Sequence, residues 1–311
     1  MTQMTSPNGT PLSSLCFGCM QFGGTADEAA SRAMYDACRA AGLTFFDTAH
    51  VYTGGASETL LGQFAAPERD SLIIATKAAY TGGASQKNIE TSFDESRRRL
   101  GMDMVDILYM HRWDDQTPLE ETFETLAKMQ DDGRIRWIGV SNYAAWQVMK
   151  AQAVAERFGT RIDILQPMYS LVKRQAEVEL LPMAQSEGLA VAPYSPLGGG
   201  LLTGKYVGGA GQGRLATDTR YAARYGQSWM HDTARALQEF ALSRALDAAT
   251  LAVAWAARHP AVTAPIISAR SAGQLAPSLA ALDHVLAEGV YDALSALSPK
   301  PAPATDRLEE G

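Results

Sequence analysis

The sequence predicts an α/β fold in which eight parallel strands close into a barrel surrounded by helices, the (β/α)8 or TIM barrel. Short apolar runs rich in β-branched and aromatic residues alternate with segments of helical periodicity. The alternation recurs eight times, at intervals of about 30 residues until a long seventh loop. Because strands buried on both faces and separated by helices form parallel sheets, eight such units favour a closed barrel over an open sheet.

The predicted strands are short, and most of them end next to a polar residue. They cover residues 15–19, 44–46, 72–76, 105–110, 135–140, 162–165, 190–193 and 263–267. Ahead of the first strand, Asn8-Gly9 is a strong two-residue turn signal. It predicts a small β-hairpin at the N-terminus.

The predicted helices follow the strands, and several are bounded by residues that start or stop helices. Gly42, Gly101 and Gly133 follow helical segments, and Pro118 begins one. We predict helices over residues 27–41, 57–62 (with Ser57 as N-cap), 88–100, 118–131, 144–158, 178–187, 231–246, 248–258 and 271–282, with an extra helix near the C-terminus at 291–297.

The remaining segments are predicted as loops or tail. Residues 196 to about 229 form a long loop, and we expect its Gly-rich part, residues 198–213, to move when a cofactor enters. The Pro-rich and charged residues 298–311 are predicted to be a flexible tail. We expect residues 1–311 to form a single barrel domain with its core at about 12–284.

The composition excludes several classes of protein. The net charge of -7 argues against nucleic acid as a partner. No apolar run approaches the roughly 20 residues that span a bilayer, so no membrane association is expected. Three cysteines do not make a disulfide framework, His and Cys do not cluster at metal-ligand spacing, and no export signal is visible. We therefore expect a cytoplasmic protein without a metal, and both a monomer and a homo-oligomer stay open.

Reactive or polar residues follow six of the predicted strands. They are Asp47, Lys77, His111, Ser141-Asn142, Gln166 and Tyr194-Ser195, and Tyr52 lies five residues beyond Asp47. Barrel enzymes carry their chemistry at the carboxyl ends of the strands. These side chains are therefore expected to converge on one pocket.

Four of these residues can together donate a proton without a metal. A free tyrosine has a pKa of about 10, and an ammonium group beside Tyr52 would favour release of its proton. Lys77 can supply that charge, and Asp47 would keep the lysine charged when it is buried. His111 can hydrogen-bond a carbonyl oxygen. Such a site suits carbonyl reduction when a hydride donor lies alongside.

Several segments resemble the aldo-keto reductase family, over about residues 12–284. Each segment alone is moderately specific, whereas all of them in the same order are highly specific. The matching segments are Phe-Asp-Thr-Ala-x-x-Tyr at 46–52, Ala-Thr-Lys at 75–77, Asp-Ile-Leu-Tyr-Met-His at 106–111, Ile-Gly-Val-Ser-Asn at 138–142, Gln166 with Tyr169, Pro-Tyr-Ser-Pro-Leu at 193–197 with the Gly-rich 199–205, and Pro-Ile-Ile-Ser-Ala-Arg-Ser at 265–271.

The resemblance implies reduction of an aldehyde or ketone with NADPH, which becomes NADP+. Tyr52 would be the general acid, Lys77 its pKa partner, Asp47 the partner of the lysine, and His111 the residue that orients the carbonyl. The cofactor would be bound by Gly18, Cys19, Met20, Asp47, Ser141, Asn142, Gln166, Tyr194, Ser195, Pro196, Leu197, Gly199, Leu201, Lys205, Ser268, Ala269, Arg270, Gln274 and Ser278.

Within that set, the resemblance implies separate roles. Ser141, Asn142 and Gln166 would hold the nicotinamide carboxamide, and Tyr194 would stack on the ring. Lys205 would approach the pyrophosphate, and residues 268–278 would hold the adenosine 2′-phosphate at a helix N-terminus, with Arg270 as the cation.

The chain departs from the family pattern at two places. Pro277 and Ser278 stand where Glu-Asn is frequent, which bears on the adenine contacts. Cys19 and Met20 stand where Thr-Met or Thr-Trp is common, which bears on the pocket wall.

The predicted substrate contacts are aromatic or basic: Tyr52, Tyr80, His111, Arg112 and Trp113. Further arginines and aromatic residues lie in the segment 214–230, among them Arg220 and Arg224. This combination suits a sugar-derived or other polar carbonyl compound, hence a role in carbohydrate metabolism. The alternative is that these arginines lie on the surface or at a subunit contact.

Other interpretations also stay open. Taken alone, Asp47 and Lys77 could form a structural ion pair, and Asn142 could cap the following helix. For the protein as a whole, the alternative to an enzyme is a nucleotide-sensing regulatory protein on the same barrel, with little turnover.

Overall fold

A single sheet of eight strands organises the structure, a computed structural model that describes residues 3–206 and 213–310. The strands are β1 (Cys16–Gly18), β2 (Phe45–Asp47), β3 (Ile73–Ala78), β4 (Val105–Met110), β5 (Ile135–Ser141), β6 (Ile164–Gln166), β7 (Ala190–Val191) and β8 (Ile266–Ile267). Every pair of neighbouring strands is parallel, and β1 lies between β2 and β8.

The two ends of the strand order also meet, which closes the barrel. The amide of Thr263 donates to the carbonyl of Val191, and that of Ile266 to the carbonyl of Pro193, both at 2.8 Å. Tyr194, just beyond β7, forms a parallel bridge with Ile266. The predicted (β/α)8 fold class is confirmed.

Alternating side chains of each strand build two separate cores. Phe45 and Ile73 point into the barrel, where they pack with other interior residues. Their neighbours Phe46 and Ile74 point outward and pack under the helices. This period-two division explains why the strands read as continuous apolar runs in the sequence.

An N-terminal hairpin closes the end of the barrel where the strands begin. Thr5 and Pro11 form an antiparallel bridge, and the amide of Gly9 donates to Ser6 O at 2.9 Å. Met4 and Leu12 pack against the interior core. The predicted hairpin at Asn8-Gly9 is confirmed, and it leaves the carboxyl ends of the strands as the open face.

The helices surround this sheet. They are α1 (Glu28–Ala40), α2 (Ala56–Ala65), α3 (Gln86–Leu100), α4 (Leu119–Asp131), α5 (Ala145–Ala155), α6 (Leu180–Ser186), α7 (Arg214–Thr217), α8 (Thr219–Arg224), α9 (Ser228–Leu242), α10 (Ala248–Arg258), α11 (Ala272–Leu279) and α12 (Glu288–Ser295). None of the helices in the described ranges has both the length and the apolar character needed to cross a membrane.

Two local predictions were wrong. Ser57 is not the N-cap of α2, because Gly55 at φ +97° takes that place and Ser57 lies inside the helix. The predicted loop 196–229 contains α7, α8 and the beginning of α9. These helical segments are too short or too polar to show a clear helical period in the sequence. Residues 207–212 of the part expected to move lie outside the described residues.

Glycine at position 62 is required by the packing of α2 on α3, which gives a stability prediction. A Cβ at Gly62 would lie 2.2 Å from the Leu100 carbonyl oxygen, and backbone cannot swing away as a side chain can. We expect Gly62→Ala to lower the free energy of unfolding by about 1–3 kcal/mol in urea denaturation. Gly289→Ala is the control, because a Cβ there meets no described residue within 4 Å. Equal stability of the two variants would contradict the prediction.

Candidate active site

The open face of the barrel brings the predicted strand-end residues together. Asp47 is the last residue of β2, Lys77 lies one residue before the end of β3, and His111 directly follows β4. Gln166 ends β6 and pairs in register with Ser141 at the end of β5. These side chains meet because the parallel strands of one barrel all end on the same face, at similar levels along the barrel axis.

Asp47 and Lys77 form a buried ion pair at the centre of this face. Lys77 Nζ donates to Asp47 Oδ1 and to the carbonyl of Thr48, the latter at 2.8 Å. Gln166 Nε2 donates to the other oxygen of Asp47 at 2.9 Å. Burial alone would lower the pKa of Lys77, but the charge of Asp47 and the contact with Tyr52 outweigh it and raise the pKa. The lysine therefore stays positively charged.

The Tyr52 ring lies against that positive charge. Lys77 Nζ is 4.9 Å from the centre of the ring. Burial raises the pKa of the Tyr52 phenol, while Lys77 acts to lower it, and burial has the larger effect. Lys77 therefore acts to lower the pKa of Tyr52, as predicted, but the net pKa of the phenol stays above its ordinary value. At neutral pH the hydroxyl carries its proton and can donate it.

His111 is buried and stands edge-on to Tyr52, with ring centres 5.8 Å apart. Burial, followed by the charges of Lys77 and Arg112, lowers the pKa of His111 to about 3. The imidazole is therefore neutral at physiological pH. Its Nδ1 is buried without a hydrogen-bond partner in the described part of the chain.

A row of polar groups continues from His111 across the ends of β5 to β7. Asn142 has a left-handed backbone with φ +59°, and its Nδ2 donates to the carbonyl of His111 at 2.9 Å. Its Oδ1 accepts from the Tyr194 hydroxyl at 2.8 Å. Ser141 Oγ donates to the carbonyl of Gln166 at 2.9 Å. This row presents amide and hydroxyl groups along one edge of the pocket.

Asn142 does not cap α5, so the alternative that it serves as the N-cap of this helix is wrong. The N-cap of the helix is Ala144, whose backbone amide donates to the side chain of Gln147 at 2.7 Å.

On the other side of the pocket, β1 approaches β8 closely. A Cβ at Gly18 would lie 2.8 Å from the Ile266 side chain, so only glycine fits there. The next residue, Cys19, is fully buried, and its amide donates to Asp47 O at 2.8 Å. Met20 is partly exposed.

A tight turn follows β7. Ser195 has φ +62° and is followed by Pro196, Leu197 and the 3-10 segment Gly198–Thr203, which contains Gly199 and Leu201. Leu201 is buried in the outer core. The exposed Lys205 folds back over this turn. Its Nζ would lie 2.9 Å from a Cβ built at Gly200.

Polar groups at the start of α11 offer an anion site. The Ser268 hydroxyl is buried without a hydrogen-bond partner in the described residues, and Arg270 is exposed close by in the chain. Ser271 caps the helix, and Gln274 Oε1 accepts from the amide of Arg270 at 3.1 Å. An unsatisfied hydroxyl, a cation and a helix N-terminus of this kind favour a phosphate group.

The end of α11 is less accessible. Ser278 is 1% exposed, and the carbonyl of Pro277 accepts from Thr250 Oγ1 on α10 at 2.7 Å. The positions that depart from the family pattern therefore pack against a neighbouring helix. Ala269, earlier in the same segment, is also buried.

Aromatic and basic side chains border His111 on its outer side. The rings of Tyr80 and His111 are 4.8 Å apart, and Arg112 Cζ is 5.1 Å from the centre of the Tyr80 ring. Trp113 packs edge-on against Tyr143 and Trp146 instead. Tyr80 and Arg112 are thus better placed next to the pocket than Trp113.

The arginines of α8 occupy different surroundings. The side chain of Arg220 is 79% exposed and pairs with Asp218 at 3.3 Å, as the surface alternative predicts. Arg224 Cζ lies 5.3 Å from the centre of the Tyr221 ring. A Cβ at Gly199 would lie 2.8 Å from Tyr221 Cδ1, so α8 packs beside the turn that follows β7.

One contributor to the pocket was not predicted. The carbonyl of Thr48 is a partner of Lys77, and a backbone acceptor has no residue-type signature in a sequence. Tyr221 belongs to the segment 214–230 whose aromatic residues were singled out in the sequence, although the helix α8 that carries it was not predicted. In the ranges that the structure describes, no group of His, Cys, Asp or Glu could hold a metal ion, and all three cysteines are free and buried.

The comparison with known proteins agrees with this geometry. Residues 14–299 match the model of the aldo/keto reductase family. A probable voltage-gated potassium channel subunit beta of Oryza sativa subsp. japonica is 34% identical, over 93% of this chain and 94% of its own. An uncharacterized oxidoreductase of Bacillus subtilis, YrpG, is 33% identical over 96% of this chain and 95% of its own.

A further relative carries a substrate in its name. The L-glyceraldehyde 3-phosphate reductase of Escherichia coli K12 is 33% identical over 78% of this chain and 76% of its own. The resemblance seen in the sequence motifs is confirmed, and the chain belongs to the aldo-keto reductase family of oxidoreductases.

Proposed function

We propose that this protein reduces an aldehyde or ketone to an alcohol with NADPH, and that Tyr52 donates the proton. The observation that carries the proposal is the buried Lys77 ammonium, bound to Asp47 and lying 4.9 Å from the Tyr52 ring. A permanent positive charge at that place stabilises the phenolate that forms when the hydroxyl gives up its proton.

Each residue of the pocket has a separate role in the proposed reaction. Tyr52 and the neutral imidazole of His111 hold the substrate carbonyl oxygen between them. When bound, NADPH supplies a hydride to the carbonyl carbon. Tyr52 gives its proton to the oxygen, which completes the alcohol, and Lys77 stabilises the phenolate until solvent returns the proton. Asp47 and Gln166 keep the lysine charged and in place.

The residues around the pocket fit a nicotinamide dinucleotide with a 2′-phosphate. Ser141, Asn142 and Gln166 offer amide and hydroxyl groups for the carboxamide, and Tyr194 offers a ring for stacking. At α11, the unpartnered Ser268 hydroxyl and the exposed Arg270 suit the phosphate. A phosphate-binding cation there would favour NADPH over NADH.

For the substrate, we propose a sugar-derived or other polar carbonyl compound. Arg112 and Tyr80 lie on the substrate side of His111 and combine a charged donor with an aromatic face. The name of the Escherichia coli relative, an L-glyceraldehyde 3-phosphate reductase, agrees with a polar aldehyde. We further propose a role in carbohydrate metabolism, in the cytoplasm.

The relatives named as potassium channel subunits favour a second candidate, a regulatory protein that binds the nucleotide and senses it. An assay with NADPH and a broad panel of carbonyl compounds separates the two. Tight NADPH binding without oxidation by any carbonyl would favour the sensor.

We expect Tyr52→Phe to abolish most carbonyl reduction and to leave NADPH affinity nearly unchanged. Phenylalanine keeps the ring that packs on Lys77 but lacks the proton. Loss of a general acid should cost about 100-fold to 10,000-fold in kcat. Tyr291→Phe, on α12, is the control. Steady-state kinetics and NADPH fluorescence titration measure the two quantities, and near-normal turnover in Tyr52→Phe would refute the assignment.

The pH dependence should show a single limb. Because the pKa of His111 is lowered to about 3, the imidazole stays neutral across the working range. The pKa of Tyr52 is raised by burial, so kcat/KM should be flat from about pH 5 to 9 and should fall only when the phenol ionises above its usual value of about 10. An inflection near pH 6.5 that disappears in His111→Gln would show that His111 titrates, against this prediction.

Arg112→Ala should raise KM for a polar aldehyde such as glyceraldehyde 3-phosphate more than for a small apolar aldehyde. Loss of a charge-assisted hydrogen bond is worth roughly 1.5–3 kcal/mol, or about 10-fold to 150-fold. Arg235→Ala, an exposed arginine on α9, is the control. Equal effects on both aldehydes would count against a polar substrate.

A further inference from the structure

The loop that carries Tyr52, residues 48–55, is held by the guanidinium of Arg99 on α3. Arg99 Nη1 donates to the carbonyl of His50 at 2.8 Å, two residues before Tyr52. Beyond Tyr52, the guanidinium packs on Gly55, where a Cβ would lie 2.6 Å from Arg99 Cζ. One side chain therefore contacts the loop on both sides of the tyrosine.

The guanidinium of Arg99 is itself held in place by two carboxylates. Arg99 Nη1 is 3.2 Å from Glu58 Oε2, and Nη2 is 2.5 Å from Glu95 Oε1. Its side chain is 16% exposed, and that of Glu58 is fully buried. A planar guanidinium bonded to two carboxylates and a carbonyl has little rotational freedom. The group formed by Arg99, Glu58 and Glu95 is here named the Arg99 clamp.

The clamp connects the loop to the strand that carries Lys77. Glu58 Oε1 accepts from Thr76 Oγ1 at 2.6 Å, and Thr76 directly precedes Lys77 on β3. The amide of His50 also donates to the carbonyl of Lys77 at 3.1 Å. The position of Tyr52 relative to Lys77 is thus set by contacts behind the loop, outside the pocket.

We propose that Arg99 is a positioning residue that acts through the clamp to hold residues 48–55 with the Tyr52 hydroxyl next to Lys77. The inference rests on the proposed function, because it takes Tyr52 as the proton donor. In the described part of the chain, Arg99 contacts no residue proposed to bind the cofactor phosphates, so its loss should affect proton transfer more than binding. A donor displaced by about 1 Å can cost about 100-fold in rate.

The kinetic test compares Arg99→Ala with Arg98→Ala. Arg98 is the neighbouring residue on α3, but its side chain is 75% exposed and its only ion pair, within the described residues, is a 3.6 Å contact with Glu95. We expect Arg99→Ala to lower kcat about 100-fold and to change KM and the Kd of NADPH by less than about twofold. The solvent isotope effect on kcat should rise, because proton transfer has become slower. Arg98→Ala should behave as wild type.

Chemical rescue and a conservative variant exclude a general loss of folding. Free guanidinium ion can occupy the space left in Arg99→Ala and should restore part of kcat, whereas urea, which lacks the charge, should not. Arg99→Lys keeps the charge beside Glu58 but cannot bond His50 and both carboxylates at once. It should fold with a near-normal Tm and still show reduced kcat.

Hydrogen exchange tests the clamp without any turnover. The amides of residues 48–55 should exchange faster in Arg99→Ala than in Arg98→Ala, with the strands of the barrel unchanged. If wild type reduces no carbonyl, the proposed function fails while this measurement still tests the clamp. Unchanged exchange in the loop, or wild-type kcat in both folded Arg99 variants, would overturn the inference.

Discussion

The buried ion pair between Asp47 and Lys77 is the interaction on which the rest of the site depends. Each charge costs several kcal/mol to remove from water, so a pair of this kind is retained only when its remaining hydrogen bonds are also made. Here Gln166 and the carbonyl of Thr48 make them. The lasting positive charge then influences both neighbours: it favours the phenolate of Tyr52 and opposes protonation of His111.

The closed barrel is what makes those partners available. Asp47, Lys77 and Gln166 come from β2, β3 and β6, and they meet because a closed sheet brings strands that are distant in the chain to one ring of strand ends. Beneath them the interior is apolar, with Phe45, Ile73 and other side chains that exclude water. The N-terminal hairpin covers the opposite end. The charges of the buried pair between Asp47 and Lys77 are therefore weakly screened. A weakly screened charge has its largest effect on the groups next to it.

The pocket also explains how one barrel can suit both an enzyme and a nucleotide sensor. The groups that would hold the nicotinamide and the phosphate lie along β5 to β8 and at α11, whereas the proposed proton donor, Tyr52, lies on the loop after β2. Most of the proposed binding groups thus lie outside the loop that carries Tyr52. Small displacements of the loop 48–55 could alter turnover and leave nucleotide binding intact, since the loop is fixed by contacts such as that between Arg99 and the carbonyl of His50.

The sequence by itself determined the eight alternating units, the carboxyl edge as the candidate site, and the residues that meet there. It could do so because strand and helix periods are local, and a parallel barrel places every strand end on one face. The strand 105–110 and the helix 248–258 were predicted with the bounds that the structure has.

Only the tertiary structure decided which partner each polar group takes. The bond between Gln166 and Asp47 joins residues 119 positions apart, Ser57 serves Cys19 and Thr48 rather than a helix end, and Asn142 bonds Tyr194 rather than capping α5. Burial, which sets the direction of the pKa of His111, likewise depends on the packing of distant elements. Periodicity in a sequence reports which face is apolar, whereas hydrogen-bond partners and desolvation are set by register and closure.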